Sequence, residues 1–264
     1  MNRNLPPIVK NLLVINFILF LAAWLLPNIL RRWGFNIQLE DLLGMHYFGS
    51  EKFNIIQVVT YMFMHAPFPN ISHIFFNMFA LFMFGPILEQ VWGGRKFLIY
   101  YLVSGIGAGL VQQLFWYIDM GSIFSAMDTA ISSGNSEALI PYMDKISRYF
   151  RISGDISQVQ SADILMMKNQ LQNSLLTVGA SGAIFGILLA FGWLFPEQKL
   201  FLLFIPIPIK ARYFIAGYAV VELFLGVSSF QGDSVAHFAH LGGMLFGLLL
   251  ILFWKKKGKL YSQN

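Results

Sequence analysis

The chain has 264 residues, 56% hydrophobic and 12% charged, with a formal net charge of +5 and a mean hydropathy of +0.61. Soluble domains carry about 25% charged residues, so this composition excludes an ordinary soluble domain and points to an all-α polytopic membrane protein. The basic residues flank apolar runs instead of forming an aromatic-interleaved stripe, which argues against nucleic acid as a partner and for the lipid bilayer; with no cysteine, disulfides, thiolate metal sites and cysteine nucleophiles are excluded.

A membrane-crossing helix needs roughly 20 mostly apolar residues. Residues 12–30 meet that requirement, and no small-residue cleavage site follows them, so they read as a retained helix and not a signal peptide. Residues 31–70 mix Arg31, Arg32, Glu40, Asp41, Glu51 and Lys52 with Phe, Met and His, as an interfacial loop does. The second span is expected at 71–92 and the third at 97–118, where Gly105, Gly107 and Gly109 leave a thin surface for a close neighbour. Residues 119–174 are a polar insertion with helical periodicity around 162–171, expected to lack a core of its own. The fourth span, 175–195, carries no charge. Ile205-Pro206-Ile207-Pro208-Ile209 cannot be a regular helix, since each proline removes a donor and restricts its predecessor. A short fifth span covers 211–227 and contains Glu222; the sixth, 235–254, is closed by Lys255-Lys256-Lys257. Residues 1–264 are thus expected to form a single membrane domain.

Basic residues mark the cytoplasmic side. With both termini cytoplasmic, the inner segments hold eleven basic residues against Glu89 and Glu197, while the outer segments hold seven against ten acidic ones. The expected topology is six transmembrane helices with the 119–174 insertion on the outer face, and the expected location is the bacterial cell (inner) membrane. In this topology the N-terminal ends of spans two, four and six lie at similar depth. Those ends carry His73 and Asn77, then Ser181, then His237 and His240.

Each of these polar groups has a plain reading beside a chemical one. In Val178-Gly179-Ala180-Ser181-Gly182-Ala183-Ile184-Phe185-Gly186, the Gly182-x-x-x-Gly186 pair by itself reads as helix packing. Ala183 also departs from the Gly-x-Ser-x-Gly elbow of soluble hydrolases. Gly243-x-x-x-Gly247 follows one turn below His240. Facing the two glycine pairs would bring Ser181 and His240 together, the pairing that activates a hydroxyl. His73 and Asn77, at i and i+4, share one helix face and serve either as an interhelical clamp or as oxyanion donors. His237-x-x-His240 with Glu222 or His73 offers zinc ligands on paper. However, there is no His-Glu-x-x-His and Glu222 stands in another span, so no metal is expected. Glu222 is expected to pair with a polar neighbour or stay neutral, and is assigned no catalytic role. His46 and His65 read as interfacial, with His65 near enough in sequence to support His73. No span contains the aspartates of an aspartyl mechanism.

Gly179-Ala180-Ser181-Gly182, His73-Ile74-Phe75-Phe76-Asn77 and Ala239-His240-Leu241-Gly242-Gly243-Met244-Leu245-Phe246-Gly247 together resemble the rhomboid family of intramembrane serine proteases, across spans two to six. The resemblance implies a six-transmembrane-helix bundle around a water-filled cavity. It implies Ser181 as nucleophile and His240 as general base, a dyad with no third acidic member. His73, Asn77 and the Ser181 backbone N–H would form the oxyanion hole, and Glu89 with Gly93 a structural turn. His237, Gly179 and Phe185 would line the cavity. Substrates would be transmembrane proteins, cut in or beside a locally unwound helix with no cofactor. The chain departs from the family pattern in carrying Ile56-Gln57 where many relatives have Trp-Arg, Phe185 where some have tyrosine, and a long insertion. The alternative is a catalytically silent relative that binds transmembrane helices for quality control; such relatives lack the serine or the histidine, and both are present here. A transporter would show inverted repeats with paired broken helices, and no convincing internal repeat accompanies the interrupted segment at Ile205–Ile209.

Overall fold

The computed structural model describes residues 5–150, 156, 159–202, 205–228 and 236–261. In chain order its helices are α1 (Pro7–Arg31), α2 (Leu39–Leu43), α3 (Gln57–Thr60), α4 (Ile71–Trp92), α5 (Gly94–Ser133), α6 (Met143–Ile146), α7 (Ser161–Ser174), α8 (Ser181–Leu194), α9 (Ala211–Ser228) and α10 (His237–Lys256). Five of them, α1, α4, α5, α9 and α10, are long and apolar enough to cross a membrane. The all-α membrane class is therefore the one observed.

The fourth expected span differs. It is the 14-residue α8, about 21 Å long at 1.5 Å per residue, against a hydrocarbon core of about 30 Å. Ten of its fourteen residues are buried. A helix sheathed by protein need not match the bilayer, because its neighbours and not lipid solvate its ends.

The chain divides into two compact units, the first built from Met1–Met45, Ile56–Gln112 and Thr177–Asn264. In it α8 is the central helix, packed against α4, α9 and α10. Glycines set these distances. A methyl group on Gly243 of α10 would overlap the carbonyl oxygen of Gly182 on α8, and one on Gly186 would overlap Ser104 of α5. Tyr100 of α5 donates its hydroxyl to the Gly186 carbonyl at 2.8 Å, so that the fully buried hydroxyl is not left unpaired. Outward, Phe75, Phe76, Phe79 and Phe82 of α4 and Val220, Leu223 and Phe224 of α9 are exposed, the surface expected where the solvent is lipid. The prolines of Ile205–Lys210 stand in one strand of a two-stranded hairpin, Lys210 opposite Lys199. Such an edge is where a strand tolerates residues without an N–H.

The N-terminus of α1 shows how a buried charge is accommodated. Pro6 supplies no capping side chain, so the first amides need acceptors from elsewhere. Glu89 of α4 provides both: Ile8 N–H donates to Oε1 at 3.0 Å and Val9 N–H to Oε2 at 2.8 Å. Gly93, at φ +75°, then turns the chain from α4 into α5. Hydrogen bonds to a charged group contribute about 1.5–3 kcal/mol each. Glu89→Ala is accordingly expected to destabilise the protein by about 3 kcal/mol or more, read as a lowered Tm in detergent; a Tm equal to that of wild type would refute the capping role.

The second unit comprises His46–Ile55 and Gln113–Leu176, which spans the whole polar insertion. Contrary to expectation, it has a buried core of its own. Trp116, Met120, Ile123, Phe124, Met127 and Ala130 of α5 pack with Leu139, Ile146, Ile164 and Leu171. α5 does not stop near residue 118 but continues to Ser133. Gly134 at φ +70° follows it, and the Asn135 side chain accepts the Glu137 N–H at 2.9 Å. Asp119, which read as the end of a span, instead pairs with Lys145 at 2.6 Å. The periodicity noted around 162–171 is α7.

Candidate active site

Ser181 is the first residue of α8 and half-buried. The first amides of a helix have no intrahelical acceptor, and the aligned peptide dipoles favour negative charge there. Just before it, Gly179 adopts φ +131°, a conformation that side chains strongly disfavour, and its N–H donates to the Tyr61 carbonyl at 2.9 Å. A Cβ on Gly179 would lie 2.9 Å from His73 Nε2 and 3.5 Å from Ser181 Oγ. The missing side chain therefore lets the imidazole and the hydroxyl both approach this stretch of backbone.

The His73 tautomer follows from its surroundings. The Ala66 N–H donates to His73 Nδ1 at 3.1 Å. A nitrogen that accepts there carries no proton, so the ring proton is on Nε2, the atom facing Gly179. His65 packs edge-on against this ring at 5.2 Å. Burial, and then the neighbouring His73 ring, push the His65 imidazole down to about 3, so it stays an uncharged wall. Asn77 is buried, but its Nδ2 donates to the His73 carbonyl one turn back at 2.8 Å. One of its two N–H groups is thus committed to its own helix.

His240 is held from two sides. Phe185 of α8 stacks on its ring, centroids 4.2 Å apart and planes within 9°. Its Nδ1 lies 2.8 Å from Glu222 Oε2, and His237 Nδ1 lies 2.6 Å from the same oxygen. The Gly182–Gly243 contact brings the first turns of α8 and α10 together, which places Ser181 and His240 on facing helix ends.

Glu222, His237 and His240 are all buried, with ligand atoms within 4.8 Å of one another, a composition that binds zinc elsewhere. Ligands on a tetrahedral ion with bonds of about 2.0–2.1 Å lie about 3.3 Å apart, whereas these N···O separations are 2.6 and 2.8 Å. They are hydrogen bonds.

The structure thus gathers Ser181, Gly179, His73, Phe185, His240 and His237 in one region. His237 sits on the Glu222 carboxylate, and Asn77 lies one turn beyond His73. His46 is elsewhere: in the second unit its Nδ1 lies 3.1 Å from the Asn173 carbonyl. Of the Ile56-Gln57 pair, Ile56 is exposed and Gln57 is buried, with its Nε2 donating to the Leu42 carbonyl at 3.3 Å. Glu222, expected to pair with a polar neighbour or stay neutral, meets two, His237 and His240.

A polytopic helical membrane protein, with a serine, histidines and a carboxylate gathered at the ends of its central helices, is the class these features define. The Rhomboid domain model matches residues 52–257, and the chain belongs to the rhomboid family. It is similar to Rhomboid protein 1, mitochondrial, of Saccharomyces cerevisiae, 28% identical over 242 residues, 92% of this chain and 51% of that protein. RHOMBOID-like protein 6, mitochondrial, of Arabidopsis thaliana is 35% identical over 95 residues, 36% of this chain and 25% of that protein. Putative rhomboid protease YdcA of Bacillus subtilis is 28% identical over 102 residues, 39% of this chain and 47% of that protein. The chain therefore spans about half the length, or less, of these relatives. Four relatives, from Saccharomyces cerevisiae, Arabidopsis thaliana and Schizosaccharomyces pombe, are named as mitochondrial or chloroplastic. That overturns the bacterial cell (inner) membrane expected from the sequence; the multi-pass membrane character stands.

Proposed function

We propose that this chain is an intramembrane serine endopeptidase of an organellar membrane, cutting peptide bonds in or beside a transmembrane helix of a protein substrate. The observation that carries the reading is the approach of the Ser181 hydroxyl and the Nε2–H of His73 to the same point at Gly179. In the first step Ser181 Oγ bonds to the scissile carbonyl carbon while its proton passes to His240 Nε2, and the carbonyl π pair moves to oxygen. That oxygen is received by the Nε2–H of His73, the remaining N–H of Asn77 and the Ser181 amide at the helix start. On collapse the C–N bond breaks, and the proton on His240 Nε2 goes to the leaving amine. Water then enters and gives a proton to the same nitrogen as its oxygen bonds to the acyl carbon; on collapse the C–Oγ bond breaks, the Nε2 proton returns to Ser181 Oγ, and the acid product leaves. A helical substrate hides its carbonyls in hydrogen bonds, so the site requires a segment that unwinds.

The test is the protein reconstituted in lipid with a labelled single-span substrate and, separately, a fluorophosphonate probe. Substrate cleavage together with a single label on Ser181 is the expected result. Neither cleavage nor labelling, with substrate still captured, would instead establish the silent helix-binding relative.

A further inference from the structure

Glu222 stands in α9, a helix apolar on nearly all sides, where a carboxylate is costly unless partnered. Its partners are two imidazoles meeting one oxygen, Oε2, at 2.6 Å from His237 Nδ1 and 2.8 Å from His240 Nδ1. All three residues are less than a tenth exposed, so water does not compete strongly for these contacts. An ionised carboxylate only accepts hydrogen bonds, so each Nδ1 must be the donor and must carry a proton. For His240 this leaves Nε2 as the nitrogen with a free lone pair in the neutral ring. Phe185 stacked on the ring at 4.2 Å opposes its tilting, and the carboxylate opposes its flipping.

We propose that Glu222 is the positioning residue for His240. It holds the Nδ1–H tautomer, presents Nε2 to the Ser181 hydroxyl, and sits beside the positive charge that develops when Nε2 takes the serine proton. His237 is the second donor on the same oxygen and keeps the carboxylate in place when His240 moves. No proton passes to Glu222 in this scheme: the Nδ1 proton remains on Nδ1 throughout, and only Nε2 gains and loses one. The family resemblance implied a serine–histidine dyad with no acidic member. In this chain the acid comes from the preceding helix, 18 residues before the histidine.

The inference rests on the proposed protease reading, and its experiment separates the two. Wild-type protein carrying 15N-histidine, in lipid nanodiscs, is examined by NMR, with His240 assigned by difference from His240→Asn. A protonated Nδ1 and an unprotonated Nε2 on His240 are expected; the reverse tautomer overturns the proposal, whether or not the protein cleaves anything. In cleavage assays Glu222→Gln keeps the volume but not the charge, and kcat is expected to fall by about 10²–10⁴, the upper figure being that of the carboxylate-to-amide change in soluble serine proteases. KM should stay within about threefold, because the carboxylate stabilises charge that exists only as the proton moves. Fluorophosphonate labelling of Ser181 should slow in parallel. Glu222→Asp, retaining the charge at a longer reach, should recover at least about tenfold over Glu222→Gln, since most of that loss reflects the wrong tautomer. An unchanged kcat in Glu222→Gln, or a wild-type activity abolished by a chelator and restored by zinc, would overturn the positioning role. A wild type that neither cleaves nor labels would count against the protease reading alone, and the tautomer measurement would still decide the contact.

Discussion

Ser181→Ala is expected to lower substrate cleavage in lipid by about 10⁴-fold or more, His240→Ala by a comparable factor, and the double variant by no more than either alone. Groups that act as one unit lose their effect together, since the imidazole has nothing to activate once the hydroxyl is gone. The residual rate in each variant would come from the proposed oxyanion donors, the Nε2–H of His73, the Asn77 N–H and the residue 181 amide, which neither substitution removes. The serine change is also mild for the fold. Ser181 is half-buried at a helix start, and alanine is an acceptable first-turn residue. The measurement is the initial rate on a labelled single-span substrate, with Tm recorded beside it. Losses that simply multiply in the double variant would mean that the two residues act independently, and the shared proton transfer would be refuted.

The second large effect concerns a residue that contacts no substrate. Gly243→Ala is expected to lower cleavage by at least about 10²-fold and to reduce Tm. The added methyl would overlap the Gly182 carbonyl oxygen, which is backbone and cannot rotate away, so α10 must move off α8. Overpacking of this kind typically costs about 1–3 kcal/mol. A misplacement of about 1 Å between reacting groups can cost about 10² in rate, and Ser181 and His240 lie on the two helices being separated. Gly217→Ala is the control. Nothing lies within 4 Å of a Cβ at Gly217 in α9, and alanine gains up to about 1 kcal/mol of helix propensity over glycine. That variant should cleave normally and be as stable as wild type or more so. If Gly243→Ala cleaved at the wild-type rate, close approach of α8 and α10 would not be what assembles the site.

How far these features could be read beforehand varies by residue. The facing glycine pairs were legible because close helix contact demands small side chains at a spacing of four, and the sequence carries both pairs. The core of the second unit was overlooked, although its signal was present: Trp116, Met120, Ile123, Phe124, Met127 and Ala130 form a single helical stripe. Asp119 and Asp128 concealed it, since in a single sequence a charge after an apolar run looks like the end of a helix. Their partners, Lys145 and Lys168, are far along the chain. The shortness of α8 was hidden by an apolar run that begins before it, through residues 175–180, whose backbone is not helical.

The sequence by itself determined that the chain is an apolar helical membrane protein, which helices carry polar residues at their ends, and which serine and histidine stand in a recognisable pattern. It did so because those properties are local, set by composition, by spacing along one helix and by glycine. Only the tertiary structure decided which groups meet the imidazole nitrogens: the Ala66 amide at Nδ1 of His73, and the Glu222 carboxylate at Nδ1 of His240. α9 is apolar around most of its circumference, so nothing in its sequence sets its rotation about its own axis. Packing against α8 and α10 sets it, and with it the side of the bundle on which the one carboxylate of α9 is found.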